Sequence, residues 1–410
     1  MDSAPPAAVA AATDLVNRLR LVVAVLVLSA VAPARADMNT LTLRGNYYRD
    51  RNTRVVQPAL EIKKELPSGT QLEAHYLLDA ITSASVAAGV LRDQPFTELR
   101  NETGFSLGQR FGPALVLGSY SYSSESDYWA HTASLGVVLE LFRKNTLLGA
   151  SVSYGNDKIA LRMGPTLYNP IGGLQTVRGI VTLTQELTRT LRLAASYELA
   201  IVGFGTPDNG WQGNVYRTVN LGGAPARELV PYQRIRQAAA AQLHWAVPLP
   251  IRLVPYFVFR PSYRLYWDDW GLLSHTPELR MYVPVGPVEF RVTGRLYFQN
   301  HVSFWSDDGV RPSYPQGVQG LHCTTCALAS SRTGLWYTAD PKLGNGQTEF
   351  LELRVIVNLR AMRSWRWMPA AAWLSEGIVE LSYGHYFNSS FAHTAFGDAD
   401  IAGLTLEWPL

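Results

Sequence analysis

Apolar and polar residues alternate with a period of two along most of this 410-residue chain. The segment Val288–Gln299 is a clear case, with Phe290 on one face and Arg291 on the other. Successive side chains of a β-strand point to opposite faces, so this period predicts strands with one apolar and one polar face. No apolar run reaches the ~20 residues that a membrane-spanning helix needs.

The composition indicates the class of protein that such strands build. The chain is 47% hydrophobic, 11% aromatic and only 17% charged, whereas a soluble chain has about 25% charged residues. A charge-poor, aromatic-rich chain without a spanning helix is typical of a membrane β-barrel, whose apolar residues are spread by alternation. The formal net charge of +3 is small and the basic residues form no run, which argues against a nucleic-acid-binding protein.

The spacing of the turns separates a membrane barrel from a soluble sandwich. Short turns such as Pro67-Ser68-Gly69 alternate with longer connections, for example near 122–128, 155–175 and 266–272, and the longest is 303–347. Outer-membrane barrels have short periplasmic turns and long external loops. We therefore predict an all-β fold, a transmembrane antiparallel β-barrel of the outer-membrane type with about 16 strands, 14 being the alternative. The predicted strands are 40–50, 55–66, 70–79, 97–111, 114–123, 129–142, 146–154, 176–187, 191–203, 232–246, 251–265, 274–285, 288–301, 348–361, 378–388 and 399–408.

Residues 1–36 are interpreted as an N-terminal extension followed by a cleaved signal peptide. A basic region precedes the apolar stretch Leu21–Val31, and Ala34-Arg35-Ala36 forms a small-x-small cleavage site. Cleavage after Ala36 would leave 37–410 as a single barrel, exported to the outer membrane of a Gram-negative bacterium. The segment 303–347 is its expected long external loop.

The predicted lumen is charged, because the apolar strand faces must lie against lipid. Two interpretations stay open, a pore lining that favours anions and a network of Arg–Glu pairs that fills and stiffens the lumen. A barrel of ~16 strands leaves an aqueous channel, so the two can coexist. The predicted pore-lining residues are Arg234, Arg236, Arg252, Arg260, Glu278, Arg280, Glu289, Arg291, Arg295, Glu352 and Arg354.

Two further motifs contain residue types that can form a disulfide or bind a metal ion. Cys323 and Cys326 lie in the longest connection, and a disulfide is expected because thiols oxidise outside the inner membrane. A metal site that includes His322 and a redox pair are the alternatives. The acidic pair Asp268-Asp269 is interpreted as solvated loop charge.

The sequence predicts no catalytic residue, no metal site and no cofactor. His75 and Asp79 share one strand face, but positions four apart on a strand are separated by ~13 Å, too far for a direct dyad.

Three stretches resemble a bacterial family known only as domain of unknown function number 3570, and the resemblance spans essentially the whole mature chain. They are Asn46-Tyr47-Tyr48-Arg49-Asp50, Leu78–Ser85 and Ser119–Tyr128. The resemblance implies an outer-membrane barrel. Members often occur beside a flavin-attaching transferase, a small lipoprotein and a thioredoxin-like protein, which implies surface redox biology, and no catalytic residue is carried over.

The expected function is a passive channel or a surface-conduit scaffold with an Arg/Glu-rich lumen, and not an enzyme. One alternative is an outer-membrane enzyme that acts on lipid or peptide. The other is a scaffold without pore activity for a periplasmic redox protein or small lipoprotein. The expected partners are outer-membrane lipid and the barrel-assembly machinery, which usually recognises an amphipathic terminal strand such as Ile401–Leu410, and no nucleic acid.

Overall fold

Sixteen antiparallel strands close into one β-barrel. The computed structural model describes residues 39–51, 53–83, 96–162, 168–203, 218–221, 224–227, 230–231, 233–305, 336, 338, 340–362, 376–388 and 397–410. The first strand, β1 (Thr40–Arg49), pairs with the last, β18 (Ala399–Pro409), and this pairing closes the cylinder. The other barrel strands are β2 (Thr53–Glu65), β3 (Thr70–Ser83), β4 (Phe96–Phe111), β5 (Ala114–Ser124), β6 (Tyr128–Leu141), β7 (Thr146–Arg162), β8 (Tyr168–Glu186), β9 (Leu191–Val202), β12 (Arg234–Pro248), β13 (Tyr256–Asp268), β14 (Leu273–Val285), β15 (Val288–Gln299), β16 (Gly346–Asn358) and β17 (Ile378–Phe387).

A separate two-stranded sheet lies in the connection between β9 and β12. It consists of β10 (Thr218–Leu221) and β11 (Ala224–Arg227), in a stretch where the sequence predicts no strand. Across the residues that the structure describes, no helix has the length and apolar character needed to cross a membrane.

The predicted barrel of sixteen strands is confirmed, and each predicted strand overlaps an observed one. The long connection predicted at 155–175 is wrong, because β7 continues to Arg162 and β8 already begins at Tyr168. A shift of register between Ile159 and Ala160 lets β8 carry Pro170 within the ladder. Proline and glycine usually mark loops, but a bulge tolerates them because the hydrogen-bond pattern is already broken there.

The outer face of the barrel is apolar over most of its height. Leu351 and Leu353 on β16 are 55% and 49% exposed, and Leu381 on β17 is 54% exposed. These residues occupy alternate positions, so the intervening residues face the lumen. Contiguous exposure of large apolar side chains on this scale is unfavourable in water and is what a lipid-facing surface requires.

The connections distinguish the two ends of the barrel. The short-turn end holds both ends of the barrel chain, where the N–H of Leu410 donates to the carbonyl of Asn39. Its tightest turns place Gly112 and Gly286 at φ +57° and +61°, a conformation that favours glycine.

The opposite end, here called the long-connection end, includes the stretches after β9 and β15. The longer connections predicted there near 122–128 and 266–272 are wrong, since three and four residues join the strands.

The main buried apolar cluster lies at the long-connection end rather than between sheets. Phe304 and Val302 are fully buried, and the ring of Trp270 meets that of Phe304 edge-on at 5.3 Å. The N–H of Ser303 donates to the carbonyl of Trp270 at 3.0 Å. This cluster packs the connections that follow β9, β13 and β15 against one another; its buried members are Val230, Trp270, Leu272, Val302, Phe304 and Trp336.

Candidate functional site: the charged lumen

Three consecutive strands repeat one ion pair on the lumen face. In each, a glutamate and an arginine two positions apart share that face, a spacing of roughly 6–7 Å that their side chains bridge. The arginine Nε to glutamate oxygen distances are 2.8 Å on β14, 2.5 Å on β15 and 2.8 Å on β16. The arginine on β16 also lies 2.8 Å from Glu380 of β17. These six predicted lining residues therefore form the network of Arg–Glu pairs: Glu278 with Arg280, Glu289 with Arg291, and Glu352 with Arg354.

Two predicted lining arginines bind neutral groups instead of carboxylates. The guanidinium of Arg260 donates to Gln242 at 2.8 Å and to the hydroxyl of Tyr282 at 3.0 Å. That of Arg295 donates to the hydroxyl of Tyr386 at 3.1 Å and lies 5.0 Å from the ring centre of Phe350. Because these partners carry no charge, both arginines keep a full positive charge in the lumen.

Two further arginines are exposed to the lumen. Arg236 on β12 was predicted from the sequence, and Arg264 on β13 completes the pair. Among the described residues, no carboxylate oxygen lies within 4.0 Å of either guanidinium. The guanidinium of Arg264 lies 5.6 Å from the ring centre of Tyr266. Arg236 lies opposite Asp268 across the β12–β13 pair, but that carboxylate is bound by Arg234. The lumen therefore contains two exposed arginines on neighbouring strands that form no ion pair among the described residues.

Arg234 belongs to a buried network at the long-connection end and not to the exposed lining. It is 8% exposed, and its Nε and Nη2 donate to Asp268 Oδ2 at 2.9 and 2.5 Å. The guanidinium also lies 4.4 Å from the ring centre of Trp270. The same carboxylate accepts from the hydroxyl of Tyr266 and from the N–H groups of Trp270 and Leu272.

The interpretation of Asp268 as solvated loop charge is therefore wrong. Its side chain is buried because five donors converge on it and replace the water that an aspartate normally binds. Asp269 accepts from the N–H of Ile235 at 2.9 Å, and burial raises the pKa of its carboxyl above the usual range although this hydrogen bond opposes the rise.

Arg252 does not lie on a barrel strand. β13 begins at Tyr256, five residues later than the sequence predicts, and Arg252 is exposed in the connection between β12 and β13. Pro250 and Pro255 lie in this connection. Proline has no N–H to donate, so the strand ladder cannot form through it.

On the opposite wall of the lumen, formed by β3 and β4, the carboxylates contact neighbouring polar side chains. Asp79 is 5% exposed, and it lies 2.8 Å from Arg100 Nε and 2.6 Å from the amide nitrogen of Gln57. His75 Nε2 lies 3.5 Å from Glu102. His75 and Asp79 thus contact different partners, and the structure brings together no catalytic dyad from them. The barrel order places β3 half-way round the ring from β13.

Several sequence predictions fall outside the described residues. These are residues 1–36, His322, Cys323 and Cys326, so the signal peptide and the disulfide stay predictions. In the described part of the chain, no group of three or more His, Cys, Asp or Glu side chains is arranged to hold a metal ion.

A closed barrel with an apolar outer face and a charged lumen is an outer-membrane β-barrel. Residues 168–366 match the family described as "Protein of unknown function (DUF3570)", so the segment from β8 to just beyond β16 carries that family's domain. The predicted family is confirmed there, whereas the stretches at 46–50, 78–85 and 119–128 precede the matched segment.

Solved structures of low sequence identity share the barrel. CdiB from Acinetobacter baumannii is 9% identical with a TM-score of 0.51; the match covers 91% of this chain, which spans 60% of the length of CdiB. A bacterial polysaccharide outer membrane secretin is 7% identical with a TM-score of 0.50, over 92% of this chain and all of that one. Such likeness shows the fold alone. A comparison with curated proteins finds no match.

Proposed function

We propose that this outer-membrane barrel is a passive channel whose lumen favours small anionic solutes. The observation that carries the proposal is the presence of Arg236 and Arg264 on the lumen face, both exposed and neither with a carboxylate oxygen within 4.0 Å among the described residues. A barrel of about sixteen strands normally encloses an aqueous channel. Unneutralised guanidinium groups inside such a low-dielectric wall raise the local concentration of anions.

Ion pairing divides the lumen arginines into two sets, to which we assign different functions. The arginines on β14, β15 and β16 are neutralised by glutamates two positions away on the same strand, and these ion pairs stiffen the wall. Arg236, Arg260, Arg264 and Arg295 form no ion pair within 4.0 Å among the described residues. We therefore assign each of the two interpretations left open by the sequence to a different set of arginines.

We also propose an orientation, which rests on the lengths of the connections at the two ends. The short-turn end faces the periplasm, both ends of the barrel chain lie there, and the signal peptide is removed after Ala36. The 303–347 connection then lies outside the cell. Protease added to intact cells is expected to cut within 303–347 and to spare the short turns, and cleavage of the short turns alone would contradict this orientation.

Ion selectivity in planar bilayers tests the channel. Wild-type protein is expected to give stable conductance steps and a reversal potential of the sign that anion preference produces across a KCl gradient. The double variant R236Q/R264Q removes two unpaired cations and should shift that potential towards cations. The double variant E278Q/R280Q removes one neutral pair, leaves the net charge unchanged and should keep the wild-type potential.

Other results would assign another function. Absence of conductance from heat-modifiable, folded protein would contradict a channel and favour a scaffold for a periplasmic redox protein or small lipoprotein. Absence of conductance together with hydrolysis of lipid or peptide would favour an enzyme. Equal shifts in both double variants would contradict the role given to the unpaired arginines.

A further inference from the structure

Three arginines cluster on the barrel where β1 turns into β2 at the long-connection end. Arg49 ends β1, Arg54 is the second residue of β2, and Arg51 lies in the turn between them. Arg49 and Arg54 are direct partners across the two strands. They lie on the outer face that also carries Leu43 and Val56, and all three arginines are exposed. We call Arg49, Arg51 and Arg54 the rim arginines.

A repeated hydrogen bond marks where the apolar outer face ends. On five strands, an outward tyrosine hydroxyl bonds a polar side chain on the next strand, 2.5 to 2.7 Å away and closer to the long-connection end. Tyrosine at a membrane boundary keeps its ring in the apolar layer and turns its hydroxyl to the polar side. The pairs are Tyr76 with Asn101, Tyr120 with His131, Tyr197 with Gln237, Tyr263 with His275, and Tyr383 with Asp400.

The rim arginines lie at the height of this polar ring. Asp400, a member of the ring, is the direct partner of Arg49 across the β1–β18 pair. Arg54 is the partner of Arg49 on the other side. The three guanidinium groups are therefore at the level of lipid headgroups rather than of acyl chains.

The carboxylates near the rim arginines, Asp50, Asp398 and Asp400, are hydrogen-bonded to other groups. Asp400 accepts from the hydroxyl of Tyr383 at 2.6 Å and contacts His385 Nδ1 at 2.8 Å. Asp50, in the same turn as the arginines, accepts from Tyr48 and Thr53. Among the described residues, no carboxylate oxygen lies within 4.0 Å of a guanidinium nitrogen of the three rim arginines.

We propose that the rim arginines bind the phosphate group of an anionic membrane lipid. A guanidinium presents two parallel N–H donors that match phosphate oxygens, and it does so best where little water competes. Basic residues at a membrane surface each contribute about 1 kcal/mol of attraction to anionic lipid. Three in one turn, beside an apolar wall that accepts the acyl chains, provide both parts of a lipid site. The inference does not depend on whether the lumen conducts.

Native mass spectrometry of the full barrel in detergent tests the proposal. The probe is phosphatidic acid, and diacylglycerol with the same acyl chains serves as the phosphate-free reference. Wild-type protein should retain phosphatidic acid over diacylglycerol, and R49Q/R51Q/R54Q should lose at least about tenfold of that preference. A matched variant, R143Q/R189Q/R252Q, removes three exposed arginines from the short turns and should keep it.

Three further measurements make the result decisive. The charge-retaining variant R49K/R51K/R54K should keep most of the preference, and heat-modifiable migration establishes that each variant is folded. Inorganic phosphate at millimolar concentration should not displace the lipid. Complete displacement would assign the site to free phosphate and overturn the lipid proposal, as would equal binding of phosphatidic acid to wild type and R49Q/R51Q/R54Q.

Discussion

The guanidinium of Arg234 is held between the carboxylate of Asp268, at 2.5 and 2.9 Å, and the ring of Trp270, whose centre is 4.4 Å away. Arg234 begins β12 and Asp268 ends β13, so the contact joins two strands at the long-connection end. Trp270 in turn packs on Phe304 from the connection after β15. The ion pair therefore links the barrel wall to the apolar cluster that organises the longer connections.

Loss of the Asp268 charge is expected to destabilise this end of the barrel. D268N leaves a buried arginine without its counter-ion, a change that costs roughly 3–5 kcal/mol in other proteins. Urea unfolding in detergent measures the loss. D269N is the matched control and should cost far less, because an asparagine oxygen still accepts from Ile235 and burial already raises the pKa of Asp269. Equal losses for the two variants would contradict the role assigned to Asp268.

We expect that position 104 must be glycine, because the ring of His75 occupies the space beside it. A Cβ at Gly104 would overlap His75 Cε1, so the ring must leave its place in G104A. Alanine in a strand is normally more favourable than glycine by roughly 0.5–1 kcal/mol. We expect G118A, where nothing lies within 4 Å, to raise the urea midpoint and G104A to lower it. H75A should remove the penalty of G104A, and persistence of that penalty in the double variant would assign it to another contact.

Depth in the membrane should decide the cost of a new charge on the outer face. Leu353 and Glu349 lie on the same face of β16, with Leu353 further from the long-connection end. An arginine near the bilayer midplane costs about 2–4 kcal/mol, falling to about 0–1 kcal/mol near the interface. Unfolding from lipid vesicles should therefore show a large loss for L353R and a small one for E349R. Similar losses would show that Leu353 does not face lipid.

Glu125, in the turn between β5 and β6, should make stability depend on pH. Burial raises the pKa of its carboxyl above the ordinary value of 4.5, and nearby Glu98 adds to the rise while Arg100 opposes it. The folded protein therefore holds this proton more tightly than the unfolded chain, so protonation stabilises the fold. We expect E125Q to be more stable than wild type at neutral pH. The difference should shrink as pH falls through the raised pKa towards 4.5, and a constant difference would contradict the raised pKa.

The barrel could be predicted because every strand residue faces one of only two environments. Lipid accepts apolar side chains and the lumen accepts polar ones, so alternation survives in the sequence from β1 to β18. The predictions were wrong in two stretches that contain proline. The stretch containing Pro170 and Gly172 extends β8 through a bulge, and Arg252 lies among prolines that delay β13.

The candidate site could be predicted in part. The pairs on β14, β15 and β16 follow from a glutamate and an arginine two positions apart, a local pattern that the sequence displays. The partners of Arg260, which are Gln242 and Tyr282, come from the strands on either side. No spacing along the chain indicates them, and the same is true of the buried partner of Arg234.

What the sequence determined by itself is which residues face lipid and which face the lumen, because a period of two is a property of each strand alone. Which partners bind Arg234, Arg260 and Arg295 was decided only by the tertiary structure, because those partners lie on other strands. None of these partners is close in sequence, and the register of neighbouring strands sets which side chains come within reach of each guanidinium. Ion pairing falls off over a few ångströms, so a charge's role depends on contacts that only the closed barrel creates.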